Sequence, residues 1–467
     1  MSDVLENMAD KVQKASLNEG MIGLEIHTYL TTKEKLFCTC KASRERGLKP
    51  NIYICPTCTG QPGAKPMLPN KSAVEKAVMI GLMLGCTINN RLVWQRKHYD
   101  WPDLPKGYQN TLSGSRAFPV GVLGKFLGIN IQSMHLEEDP AAWEPTTGCI
   151  DYNRSGLPLV EIVTAPDFTT SEEVVAWLKK IIHALAYLRA VDSNAGIKVD
   201  VNVNIPGKTQ RVEIKNINSL ENIGEAIDYE LQRQAREGGK EQETRRFDAE
   251  KGKSLVMRIK EGQDDYRFIV DPDLEELSIS EEFIREIEKH LPETPEKKLD
   301  KLIRKYKIDK KNAEILAKNI EIVEFFEQVA QKIDSQFALP WINIELLRLL
   351  NYHKKNLNEV DIKSEHFAEL LRLIREGIIT PLKGKEILNT FYPRSVMPGV
   401  GNEGKISDEG KLENIISEVI AKNSKAAGDF KNGEKKAFDF LMGQVMAVTK
   451  KRADFNVARE ILGRLLK

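Results

Sequence analysis

Cysteine, aromatic residues and long apolar runs are all scarce in this 467-residue chain, which has six Cys and is 7% aromatic. Four of the six cysteines fall between positions 38 and 58, which excludes a secreted disulfide framework spread along the chain. No stretch approaches the roughly 18 consecutive apolar residues that cross a bilayer, so no membrane partner is expected. The N-terminal MSDVLENMADKVQKASLNEG carries charges of both signs and has no apolar centre. That excludes a secretory signal and makes the cytoplasm the expected compartment. A GxxxxGK[ST] phosphate loop is absent, so any use of ATP follows another design. A glycine-rich serine signature and a Cys/His nucleophile pair are absent too.

Net charge is nearly absent as well, at +1, but it is unevenly spread. Residues 421–467 hold eleven Lys/Arg against five Asp/Glu. A nucleic-acid-facing tail and a solvated helix face both fit that asymmetry. With 29% charged and 41% hydrophobic residues the chain has an ordinary globular composition, and its length predicts two or three domains.

From Met21 to about Ser280 the chain is rich in Gly, Pro and short runs such as IQSMHL, LPLVEIVT, IKVDVNVNI and QRVEIKNI. Their period of two predicts a substantial mixed or antiparallel sheet. Helices are predicted from Asn70 to Leu84 and from Ser171 to Arg189, the latter with a hydroxyl cap, acids in its first turn and lysines later. Beyond about Ile279, apolar residues recur every three or four positions in EEFIREIEKHL, EILAKNIEIVEFFEQVAQKI and HFAELLRLIREGII. That half is expected to be nearly all helix. The stretch YPRSVMPGVGNEGK is expected to link a final helical unit. The fold class is thus α+β: an N-terminal extension (1–20), a sheet-based body (21–290), a helical connector (291–400) and a small all-helical tail (401–467).

Two cysteine pairs, Cys38-Thr39-Cys40 and Cys55-Pro56-Thr57-Cys58, are separated by fourteen residues. Such pairs can bring four thiolates onto one tetrahedral ion, and soft sulfur ligands make zinc the leading metal; buried free thiols and a redox dithiol are the competing readings, less economical given the second pair. A closed four-sulfur site has no open position, so it would staple the 38–58 loop rather than catalyse. Cys86 and Cys149 are isolated and expected in the core.

Charge also appears inside strand-like segments: GLEIH (23–27), HLEED (135–139), LVEIV (159–163) and KVDVN (198–202). On an extended strand Glu25 and His27 share a face. Carboxylates with one imidazole suit Mg²⁺, which also takes phosphate oxygens. Convergence of Glu25, His27, Glu138 and Glu161 is the expectation; surface charge on half-exposed strands is the competing one.

These motifs resemble, in order and spacing, those of the GatB family of aminoacyl-tRNA amidotransferase subunits over nearly the whole chain after residue 20. The matching strings are IGLEIH (22–27), LFCTC (36–40), CPTCTGQPGAKP (55–66), RKHY (96–99), PDLPKGYQ (102–109), HLEEDP (135–140), DYNRSGLPLVEIVTAPD (151–167), VEIKNINS (212–219), ETRRFD (243–248) and MRIKEGQDDYRF (257–268). FLMGQVMAVTKKRADFNVAREIL resembles the family's tail domain. The resemblance implies a cradle-type catalytic body. It also implies ATP-dependent phosphorylation of the Asp or Glu side chain on mischarged tRNA-Asn or tRNA-Gln, followed by amidation. Ammonia would come from a separate amidase chain, the glutaminase partner, in a heterotrimer completed by a third, small chain.

By position, the resemblance puts the metal and kinase site at Glu25, His27, Glu138 and Glu161, with Glu137 adjacent. Lys97, Tyr99, Lys106 and Lys215 become pocket or channel residues. The four cysteines match the zinc-binding variant, and Lys435, Lys436, Lys450, Lys451 and Arg452 would meet tRNA phosphates. Asp100-Trp101 replaces a usual aromatic pair, and Lys198 stands where arginine is common. Two other readings compete. The related archaeal E-type protein, specific for Glu-tRNA-Gln, normally carries an inserted domain, for which no block here is long enough. A zinc-stapled RNA-binding protein would show no ATP turnover, and the acidic clusters argue against it because they weaken RNA affinity.

Overall fold

The computed structural model describes residues 20–45, 47–192, 196–217, 219–239, 241–259, 266–399 and 404–466. The expected extension 1–20, Gly20 excepted, and the KEGQDD part of the 257–268 string lie outside the described residues. The chain divides into two compact units, one ending at Thr294 and one running from Pro295 to Lys467.

The first unit is built on a twelve-stranded sheet. Its central strand, Met21–Tyr29, pairs antiparallel with Pro158–Thr164 on one side and Ile197–Asn204 on the other. Beyond the first neighbour lie Ile129–Glu138, Gln109–Thr111, Gln95–His98 and Arg267–Val270; beyond the second lie Val212–Ile217, Glu243–Asp248 and Lys253–Ile259. The path is antiparallel except where Val212–Ile217 runs parallel to Glu243–Asp248. A parallel pair needs a long crossover, and the helix Leu220–Glu237 supplies it.

Period-two alternation decides what each face of this sheet carries. Ile22, Leu24 and Ile26 are at most 1% exposed and join Val160, Ile162, Met134, Leu136, Val199 and Val201 in one core. The helices Lys71–Met83, Ser171–Tyr187 and Leu220–Glu237 add their apolar stripes to that core. Asn70 caps the first of these through Ala73 N, and Thr170 caps the second through Glu173 N. Both helices start within one residue of the predicted positions. The other face of the sheet is left for polar side chains. Ile26 sits between Ile162 and Val199 in the ladder. Ile26→Ala is therefore expected to cost about 2–5 kcal/mol, read as a lower urea midpoint at unchanged slope.

Cys86 is buried in this core, as expected, whereas Cys149 is exposed. It precedes Ile150–Asp151, half of a two-stranded ribbon with Ala142–Trp143, which has too little apolar surface to cover it. The second unit is helical and has two separate hydrophobic clusters among its described residues, one within 302–391 and one within 412–466. The later cluster is made by the helices Glu409–Lys422, Ser424–Lys431, Lys435–Val448 and Phe455–Leu466. No described helix is long and apolar enough to cross a membrane.

Candidate active site

A cleft of about 650 Å³ opens over the polar face of the sheet. Register explains its contents. His27 lies directly across from Glu161 on one side and from Lys198 on the other, and Glu25 lies across from Asp200. Glu137 faces Leu159, one pleat beyond Glu161. Ligand atoms of His27, Glu137 and Glu161 consequently lie within 4.8 Å of one another, with His27 Nε2 3.6 Å from Glu161 Oε1. These three residues, together with Lys97, Tyr99 and Lys215, line the cleft.

Neighbouring acids at 137 and 138 point to opposite faces. The Glu137 carboxylate accepts from Gln109 Nε2 at 3.2 Å, Ser113 Oγ at 3.3 Å and Thr111 Oγ1, and stays in the cleft. Glu138 instead accepts from Asn110 N at 2.9 Å and pairs with Lys106, whose side chain is 10% exposed. The structure thus brings Glu137 rather than Glu138 to His27 and Glu161, and it places Lys106 with Glu138 outside the cleft lining. Gln109, Thr111 and Ser113, which orient Glu137, were not singled out in the sequence. The signal that could have found them is a short run of hydroxyl and amide side chains on a strand without apolar alternation.

Glu25 belongs to a second carboxylate group, with ligand atoms of Glu25, Asp200 and Glu213 within 4.8 Å of one another. Burial and the nearby Glu161 raise the Glu25 carboxyl above its usual range, although Asn202 Nδ2 donates to it at 3.0 Å. Burial likewise pushes Glu213 up to about 7. The Lys215 ammonium sits 2.5 Å from Glu213 and 3.6 Å from Asp200. Burial alone would lower Lys215, but these two carboxylates hold it above its ordinary value. Lys97 behaves the same way: burial opposes its charge, and Glu137 and Glu161 raise it. Burial, then Asp103 and Glu137, raise the Tyr99 phenol, whose ring meets Tyr266 edge-on at 5.9 Å. Asp100 and Trp101 line the cleft, and Trp101 packs edge-on against Trp143 at 5.5 Å. Lys198 also lines the cleft, with its charge disfavoured chiefly by burial.

The sulfurs of Cys38, Cys40, Cys55 and Cys58 lie within 4.8 Å of one another. Tetrahedral zinc with Zn–S near 2.3 Å requires sulfurs about 3.8 Å apart, so small rotamer changes suffice to close such a site. The Cys38 thiol beside it holds the Cys58 thiol below its ordinary value, against burial. Buried Lys35 faces Cys58, with Nζ 3.5 Å from Cys58 Sγ and donating to Tyr152 O at 3.0 Å.

In the second unit Lys435, Lys436 and Lys450 are exposed, the first two opening the helix Lys435–Val448. Lys451 is paired with Glu386 at 2.7 Å, and Arg452 Nε donates to Thr449 O at 3.2 Å. The expected basic set is therefore split between solvent-facing side chains and ones engaged within the unit.

Residues 20–285 match the family described as GatB/GatE catalytic domain, and residues 324–466 match the family described as GatB domain. The B subunit of the aspartyl/glutamyl-tRNA(Asn/Gln) amidotransferase of Methanocaldococcus jannaschii is 42% identical over 461 residues, covering 94% of this chain and 96% of that protein. Its counterpart in Methanopyrus kandleri is 40% identical over 458 residues, covering 94% and 97%. The Methanothermobacter thermautotrophicus protein of the same name is 40% identical over 442 residues, covering 92% and 97%. With the catalytic-domain match spanning the polar cleft and the cysteine cluster, and the relatives aligned across both units, this chain belongs to the GatB family of amidotransferase subunits.

Proposed function

We propose that this chain is the carboxylate-activating member of a tRNA-dependent amidotransferase, converting aspartyl-tRNA(Asn), glutamyl-tRNA(Gln) or both to the amides. The observation that carries this reading is the meeting of His27, Glu137, Glu161 and the Lys97 ammonium in one cleft, in a chain of this family. The E-type alternative is disfavoured because the GatB relatives cover 94% of this chain and 96–97% of their own length.

A free carboxylate is a poor acyl donor, so its activation has to come first. One carboxylate oxygen attacks the γ-phosphorus of ATP, the bond from that phosphorus to the bridging oxygen breaks, and ADP leaves with the electron pair. Ammonia then attacks the acyl carbon, the carbon–oxygen bond to phosphate breaks, and inorganic phosphate departs as the nitrogen loses a proton. Lys97 and Lys215 lie where charge accumulates on phosphate oxygens and substrate carboxylate, and both keep their protons because carboxylates surround them. Tyr99 and Trp101 help wall the cleft and limit hydrolysis of the acyl phosphate.

His27, Glu137 and Glu161 offer one imidazole and two carboxylates. That donor set, with its ligand atoms within 4.8 Å of one another, fits Mg²⁺. Bound there, the ion would neutralise phosphate charge. The four cysteines fit structural zinc. No glutaminase nucleophile is evident in the chain, so ammonia would come from a separate amidase chain, within a heterotrimer that includes a third, small chain and works in the cytoplasm. Lys435, Lys436 and Lys450 are the tail residues free to meet tRNA phosphates; Lys451 and Arg452 would join only by leaving their present partners.

The test is conversion of radiolabelled aspartyl-tRNA(Asn) and glutamyl-tRNA(Gln) with ATP, Mg²⁺ and ammonia or glutamine, with and without the amidase partner. Glutamine-dependent amide formed only with the partner supports the reading and names the substrate. No amide and no tRNA-dependent ATP hydrolysis, even with ammonia, would leave an RNA-binding protein. Lys97→Met is expected to lower turnover about 10²–10³-fold with little change in tRNA KM, as loss of a transition-state charge contact does.

A further inference from the structure

A second cavity, of about 770 Å³, shares Tyr29 with the cleft. It is basic on balance: Lys33, Arg44 and Lys76 line it against Glu34 and Asp192. The Arg44 guanidinium lies 3.4 Å over the Tyr29 ring, and Lys76 Nζ donates to Thr31 Oγ1 at 2.8 Å. Asn70 and Ser72 bring in the N-terminus of the thirteen-residue helix Lys71–Met83, the end that attracts anions. The volume is ample for a nucleotide.

Substrate length ties this cavity to the chemistry. Two steps of extended strand, with Thr28 between them, carry the chain from His27 to Tyr29, about 7 Å. In an aspartyl or glutamyl ester three or four single bonds separate the side-chain carboxyl carbon from the ester carbon, and the ester oxygen and ribose carbon bring the span to about 7 Å. A side-chain carboxyl held in the cleft beside His27, where Lys97 offers an ammonium, therefore brings the esterified ribose within reach of Tyr29. We propose that this cavity holds the 3′-terminal nucleotide of the aminoacyl-tRNA, ribose against Tyr29 and 5′-phosphate among Lys33, Arg44 and Lys76. The inference rests on the amidotransferase reading above. ATP has the same nucleoside phosphate chemistry, but a triphosphate separates its ribose from the reacting phosphorus, and the shorter tether favours the tRNA end.

The test uses the full chain and a stable probe, 3′-aspartylamido-3′-deoxyadenosine 5′-phosphate, with and without its 5′-phosphate, titrated by calorimetry. Lys76→Met, and separately Lys33→Glu on an exposed side chain whose loss leaves the core intact, should each weaken the phosphorylated probe roughly tenfold and leave the other probe within about twofold. Equal effects on both probes, no effect on either, or no binding by the unaltered chain would overturn the proposal. Competitive displacement of the probe by a non-hydrolysable ATP analogue would also overturn it, giving the cavity to ATP. Amidation by the assembled enzyme is followed in parallel. Amide formation with unchanged tRNA KM in both variants defeats the proposal alone. Probe binding as described, with no amide from the unaltered enzyme, defeats the amidotransferase reading and leaves the nucleotide site standing.

Discussion

Glu137→Gln is expected to lower tRNA-dependent ATP turnover and amide formation by about 10²-fold or more, with tRNA affinity within a few-fold and the fold intact. Its neighbour should behave differently. Glu138 faces away from His27 and Glu161, and it is 5% exposed and paired with Lys106. Glu138→Gln removes the counter-charge of a buried ammonium, so its main effect should be instability, on the order of 3–5 kcal/mol. The two variants are separated by measuring thermal melting and Mg²⁺-dependent ATP hydrolysis on the same preparations. Equal loss of activity at unchanged melting temperature would place Glu138 in the chemistry and dismiss the division of faces between the two acids. Lowered activity in the Glu138 variant that returns on cooling would fit a purely structural role.

The second large effect is expected from the cysteine cluster. With Cys55 and Cys58 both replaced by Ser, zinc content measured by emission spectroscopy should fall from one per chain to none. Stability should fall by about 3 kcal/mol or more, since binding free energy at such a site is folding free energy. For a unit of this size that lowers the melting temperature by on the order of 10 °C. Activity should fall too, because the knuckle is tied to the cleft by the loop 151–157. Ile52 N and Tyr53 N both donate to Asn153 Oδ1 at 2.9 Å, Ser155 Oγ donates to Cys58 O at 2.7 Å, and Lys35 reaches Tyr152 O. The same loop holds Asp139: Gly156 N donates to Asp139 O at 2.8 Å, and Arg154 Nε stands 3.3 Å from its carboxylate. Asp139 in turn accepts from the Tyr29 hydroxyl at 2.7 Å. Unchanged metal content in the double variant would sink the zinc assignment, and full activity without zinc would show that the loop holds its place unaided.

Much of this was legible in one dimension because the causes are local. Period-two alternation in IGLEIH and LPLVEIVT put Ile22, Leu24 and Ile26 in the core and left Glu25, His27 and Glu161 on the other face, and that pattern depends on strand geometry alone. Asn70 and Thr170 announced their helices because a cap acts within three residues. Spacing of the four cysteines was enough to suggest that their sulfurs could meet.

Pairing across the sheet settled the rest. HLEED offers adjacent acids, and alternation says only that they face opposite ways. Which of them meets His27 depends on Leu159 lying opposite Glu137 and on Thr111 lying beside it, and a slip of one residue would exchange them. Pairing of Lys106 with Glu138, and of Lys451 with Glu386, is hidden for the same reason, since residues 32 and 65 positions apart meet only once the chain has closed. Alternation, caps and cysteine spacing could be read from the order of residues because each arises within a few positions. Register and long-range charge pairing, and with them the membership of the cleft, come only from packing between distant segments.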